Sequence, residues 1–583
     1  MKTSAFFLFS TLLFTASLAS ADVYTWTGGS NGMGYTWEAG LWDLSGLPGP
    51  ADTAKFADYP LGLSRKAAGA WQSVSLLSEQ EVDTIWFSDC GAISANAYNY
   101  PLKFSHIIAD DWAEPATNKL AGSKNILVTT NATVYVGNNR VLLVGNLDAI
   151  SPDTSLDFTG AGTLILNGGT GNNLNGRVYI GQGTLLINPD WNNTSIRGPL
   201  VVGDGEHRAV FATGGNHANQ IAQLSEVTVN SNSVMRFHAA PNGTTPYSQT
   251  VHLNYAEVDL STLYLTFQNK TDYPLLELTG STITNGSIRI FGSNATNEFL
   301  VVRAASVPTT IYSEFNFSSW PVYVNIEDGA APVDCEMAGP ITGGIRINKQ
   351  GAGTWLWSHP DGAPNYYRAG HAIEVLEGAF IVNNVQNSGV GSNNVNVASG
   401  ALFGGTGITF GEMNPTYPGY GIPGSIALTG GANGPATFAP GTPDPETGVW
   451  IPGTFRVGFE SFTNNVTFGA SSVLRCQLSK NGGASRLAVT GNLLLDSKDN
   501  TDALAVVCDE PRLPAGVYTV ASFTECLKGR FDSVTVNGVP LADTSCKLAY
   551  LDADKNPIAA MDYIGAGSIV LTVPPEETVI IVR

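Results

Sequence analysis

The sequence predicts an all-β chain wound as a right-handed parallel β-helix, closed by an N-terminal aromatic cap and a C-terminal β cap. Three observations lead there. Gly160-Ala161-Gly162-Thr163-Leu164-Ile165-Leu166 recurs as Gly351-Ala352-Gly353-Thr354-Trp355-Leu356-Trp357, and a second glycine-led strand follows each copy, at Gly183 and at Gly378. Short period-two strands return throughout, as at 226–230, 287–290 and 394–397. Between them lie Asn-Gly, Gly-Gly and Ser-Asn turns, with no convincing amphipathic helix.

The two strands of each copy are about one coil apart in a solenoid. Lining up the copies equates Leu164 and Leu166 with Trp355 and Trp357. Alternation then puts these four on one face and Ile165 and Leu356 on the other. The tryptophans are therefore expected in the core. An antiparallel sandwich also gives short strands, but it favours two-residue hairpins over single strands with variable, glycine-rich gaps. At about 20–25 residues per coil, residues 80–560 would form roughly twenty rungs.

Taken in order, residues 1–21 read as a signal peptide. Lys2 opens it, an apolar stretch too short to span a bilayer follows, and Ala19-Ser20-Ala21 suits cleavage between Ala21 and Asp22. Residues 22–79 form the expected cap region, with Trp26, Trp37 and Trp42 covering the open end of the core. Residues 80–425 are the expected solenoid. A Pro/Gly-rich stretch from 426 opens the closing region 426–583. No later stretch is long and apolar enough for a transmembrane helix.

The composition narrows the function. Only 13% of the 583 residues are charged, and the net charge is −20. A field of that sign repels nucleic acid, and no basic stripe interrupts it. Six cysteines are present and none forms a C-x-x-C pair, so a metal site of that kind is not expected. An oxidising compartment would allow disulfides, with Cys508 and Cys526 the preferred pair because short strands flank both. No cofactor motif is present. Asp552-Ala553-Asp554-Lys555-Asn556 begins like a calcium loop, but Pro557 and Tyr563 stand where glycine and glutamate are required.

The densest polar cluster is Gly203-Asp204-Gly205-Glu206-His207-Arg208, the single candidate for catalysis, although Gly-Asp-Gly is ordinary turn chemistry. Asp110-Asp111 and Glu576-Glu577 are further acidic pairs. Tyr366 and Tyr367 lie in the variable gap of the second copy and are the candidate binding residues, suited to stacking on sugars.

Lys349-Gln350-Gly351-Ala352-Gly353-Thr354-Trp355-Leu356-Trp357, followed by Glu374–Val382, resembles the autotransporter-associated β-strand repeat of bacterial surface proteins. The Trp-Thr-Gly-Gly opening at 26–29, Gly46–Phe56 and Phe438-Ala439-Pro440-Gly441 resemble pieces of the same proteins. The resemblance implies an exported, adhesin-like β-helix at the cell surface, with extracellular glycans or a host surface as partners. The tail 573–583 lacks the strands of the membrane barrel that ends full autotransporters. A non-catalytic structural or adhesive role is the leading expectation. A polysaccharide-degrading enzyme or a carbohydrate-binding surface protein on the same fold are the alternatives.

Overall fold

The computed structural model describes residues 21–575 apart from internal stretches, the longest being 58–71, 362–371 and 411–423. The described residues are almost entirely strand and turn, with two short 3-10 turns and no α-helix among them. The chain forms two compact units, Met1–Gly176 and Arg177–Arg583.

In the first unit one parallel sheet runs through Val23–Trp26, Thr53–Ala57, Thr84–Ser88, Leu102–Ala109, Ile126–Val136 and Leu156–Thr159. A second runs from Tyr35–Thr36 to Thr163–Leu166. Parallel stacking thus begins at Val23, inside the region expected to be only a cap. Trp26, Trp37, Trp42 and Phe56 are buried together there. The Trp26 and Trp37 rings lie 5.0 and 4.9 Å from Trp42. The free edge of the first strand is covered by an antiparallel segment: Thr27 N–H donates to the Leu41 carbonyl and Asp43 N–H to that of Thr25.

In the second unit two parallel sheets stack coil upon coil, and we label them I and II. Sheet I includes Val227–Val229, Val251–Asn254, Leu276–Thr279 and Ile347–Gln350, and sheet II includes Cys335–Met337, Thr354–Trp357, Ala379–Val382 and Leu402–Gly405. A five-stranded sheet III, from Thr244–Tyr247 to Ile341–Gly343, joins them as a third wall. Sheet IV begins at Ile408–Thr409. Ile426–Leu428 stacks in register on Asn394–Val397, so sheet I continues past residue 426. Three late strands are closed by antiparallel partners: Cys526–Gly529 by Asp562–Ile564, Ser533–Val536 by Val539–Pro540, and Gly516–Phe523 by Gly567–Val573.

Alternation decides which side chains enter the core. Leu164 and Leu166 are fully buried, as are Trp355 and Trp357. The inner column Trp355, Phe380, Phe403 and Phe438 advances one coil at a time, with ring centroids 5.4, 5.7 and 5.6 Å apart. The motif glycines are fixed by backbone geometry. Gly160 and Gly351 take φ of +94° and +77°, and a Cβ on either would collide with the carbonyl of the coil before, Val136 or Ile326.

Candidate functional site

Each candidate residue has a definite structural fate where it is described. Tyr366 and Tyr367 lie outside the described residues, as do residues 1–20 of the signal segment, Cys90 and Glu576-Glu577. Ala21 and Asp22 are exposed. Asp22 N–H donates to Asp52 Oδ1 at 3.1 Å, and the Asp22 carbonyl accepts from Thr53 N–H.

The Asp204 cluster is a turn that consumes its own polar groups. Asp204 Oδ1 accepts from the Glu206 and His207 N–H groups at 2.8 Å each, and Oδ2 lies 2.7 Å from His207 Nδ1. Burial pushes its pKa up, but the hydrogen bonds from His207 and Glu206 and the charge of His207 together outweigh it and leave the pKa lowered. The His207 pKa is raised, first by the hydrogen bond to Asp204 and then by that residue's charge. Asp204, Glu206 and His207 are all exposed, and the pair has the geometry of a capped turn. Asp110 and Asp111 are likewise engaged. Asp110 Oδ2 accepts from Trp86 Nε1 at 2.8 Å and Asp111 Oδ1 from Asn138 N–H at 2.6 Å.

The expected disulfide is not formed. Cys508 and Cys526 are not joined to each other and are carried by strands of different sheets, Ala503–Cys508 in sheet II and Cys526–Gly529 in sheet I. Short flanking strands were a poor guide here, because consecutive strands of a coil belong to different walls. Cys335 and Cys476 are buried thiols. Burial pushes the Cys476 pKa up to about 12, so it is unreactive as a nucleophile. Among the described residues no group of three or more His, Cys, Asp or Glu is arranged to hold a metal.

Lys349, the first residue of the repeat motif, points inward. Its Nζ donates to the Gly351, Gly353 and Glu377 carbonyls at 2.6, 2.7 and 2.8 Å. One ammonium thereby ties both motif glycines to the coil above. Burial pushes its pKa down to about 7. The carbonyl trio opposes that push, since only the ammonium carries three N–H donors. A Cβ on Gly378 would strike this Nζ, which ties the glycine of the second strand to the lysine of the first. In the first copy Phe158 stands in the lysine's place and is fully buried.

Two exterior features went unread in the sequence. The first is a charge column along unit two: Glu226, His252, Glu277, Arg303 and Glu327. His252 lies 3.4 Å from Glu226 and 3.5 Å from Glu277, and Arg303 donates to Glu277 at 2.8 Å and Glu327 at 2.6 Å. The Arg303 pKa is raised by those two hydrogen bonds. The signal was available, because acidic and basic residues alternate once per coil along the column. The second is a hairpin, Thr442–Pro443 with Trp450–Ile451, that lays Trp450 on an outer apolar cluster of Val333, Leu356 and Ile381. Leu356 is on the face opposite the two tryptophans, as the repeat requires, yet is itself covered.

A small apolar void of about 10 Å³ is lined by residues such as Met235, Phe237 and Leu265. That is about one water's space without polar partners, so it offers no ligand chemistry. No helix among the described residues is long and apolar enough to cross a membrane. The chain matches no known family model, and no curated protein is significantly similar to it.

Proposed function

We propose that the chain is an exported, surface-displayed bacterial β-solenoid with a non-catalytic structural or adhesive role, of the autotransporter-repeat kind. The observation that carries this reading is the fate of the polar residues. Lys349, Asp204, His207, Arg303 and Glu277 are all engaged in turns or between coils. A stack held in this way presents long, rigid polar faces, which suit display and multipoint attachment. The alternative of a carbohydrate-binding role is favoured by the polar outer face of sheet III described below.

The test is surface labelling of intact cells producing either the full chain or a chain lacking residues 1–21. The reading expects the full chain to be biotinylated and shed by external protease, with N-terminal sequencing starting at Asp22. The truncated chain should stay inside. Recovery of the full chain solely from the cytoplasm refutes the reading.

A further inference from the structure

The outer face of sheet III carries an unusual two-by-two block. In register, Tyr264 lies opposite Ser287, and Thr266 opposite Arg289. Leu265, Phe267, Ile288 and Ile290 take the inner face, so the other four face outward. The Arg289 guanidinium stacks 3.4 Å over the Tyr264 ring. Among the described residues Arg289 makes no ion pair with a carboxylate, in a chain of net charge −20. Its Nε and the hydroxyls of Thr266 and Ser287 are buried with no hydrogen-bond partner. Thr266 is 0% and Ser287 1% exposed. Thr266 is directly across from Arg289 and Ser287 from Tyr264, each about 4.8 Å away at the backbone, so the two hydroxyls flank the stacked Arg289–Tyr264 pair on either strand. All three can donate, and none has an acceptor.

We infer that this block is an oxyanion subsite for an acidic glycan, a carboxylate or sulfate group seated on Arg289 and the Thr266 and Ser287 hydroxyls, with its sugar ring beside Tyr264. The guanidinium edge offers a planar fork matched to such a group. An oxyanion supplies the acceptors that the hydroxyls and Nε lack. The nearby acid, Glu314, is turned toward the next coil, where it accepts from Thr342 Oγ1 at 2.7 Å. Asn316, opposite Arg289, offers a further amide at the rim.

The inference gives a ligand class to the adhesive role proposed above. It is tested on isolated protein, so its failure leaves the surface-labelling result untouched. Calorimetric titration with a galacturonate hexasaccharide, a heparin-derived hexasaccharide and inorganic sulfate, beside neutral maltohexaose, reads it directly. Acidic sugars should bind saturably and weaken with added salt. Arg289→Gln should lose at least about tenfold in affinity, and Arg289→Lys, which keeps the charge without the fork, should also lose. Thr266→Val with Ser287→Ala should weaken binding while the unfolding temperature holds or rises, because buried unpaired hydroxyls are removed. Absence of saturable uptake by the native chain, equal binding of maltohexaose, or wild-type affinity in Arg289→Gln overturns the inference. A double hydroxyl variant that binds normally but melts early also overturns it, by making the hydroxyls structural.

Discussion

Trp355→Ala tests the assignment of the repeat tryptophans to the core. Trp355 is 0% exposed. A buried tryptophan removes about 150–250 Å² from water, worth roughly 4–6 kcal/mol at about 25 cal/mol per Å². Its Nε1 has no partner, and an unpaired buried N–H costs about 1–3 kcal/mol. The net loss expected for Trp355→Ala is therefore about 3–4 kcal/mol. Trp355→Phe keeps an aromatic ring against Phe380 and removes the unpaired N–H, so it should cost about 1 kcal/mol or less. Urea unfolding followed by far-UV circular dichroism reads both variants, with hydrogen exchange in Ala379–Val382 as a local check. If the alanine variant unfolds with the native chain yet loses glycan binding, the tryptophan belongs to a binding surface and the reasoning fails. A phenylalanine variant as damaged as the alanine one would show that the indole N–H is engaged.

Gly351→Ala should destabilise by about 2–4 kcal/mol, combining a left-handed φ with a collision against the Ile326 carbonyl; an unchanged urea midpoint would contradict it. Lys349→Met strands three carbonyls and should cost about 2–4 kcal/mol, read by the same titration. The Lys349 pKa is depressed from 10.5 to about 7, so from pH 7 to 10.5 the unfolded chain holds the extra proton. Native stability relative to Lys349→Met should therefore rise with pH across that window, and a fall would contradict it. The His207 pKa is raised by Asp204, so its contribution to the turn is present below its unfolded pKa and lost as pH rises through the elevated value. An NMR titration should show the His207 pKa falling toward its ordinary value in Asp204→Ala; no change would mean the pair does not form in solution.

The winding was legible because alternation and glycine geometry are local. Gly351, Trp355 and Leu356 announce the positive φ, the inner face and the outer face in seven residues. The sheet III block was not legible, because Tyr264 and Arg289 meet through register across a coil. Cys508 and Cys526 misled for the same reason, since nearness in sequence says little about which wall a strand joins. Trp450 escaped notice within a Pro/Gly-rich stretch, part of which folds back as a hairpin.

The central claim is that each unit of sequence makes one coil, stacked in parallel and in register. Thr228 connects through His252, Glu277, Val301 and Asn325 to Gln350, five coil steps along sheet I. At about 4.8 Å per step the backbone separation is about 24 Å. Pulsed electron–electron double resonance between spin labels at Thr228 and Gln350 should give one narrow distribution near that distance, broadened only by the label arms. A distribution centred far from it, or spread over several distances, would contradict the coil.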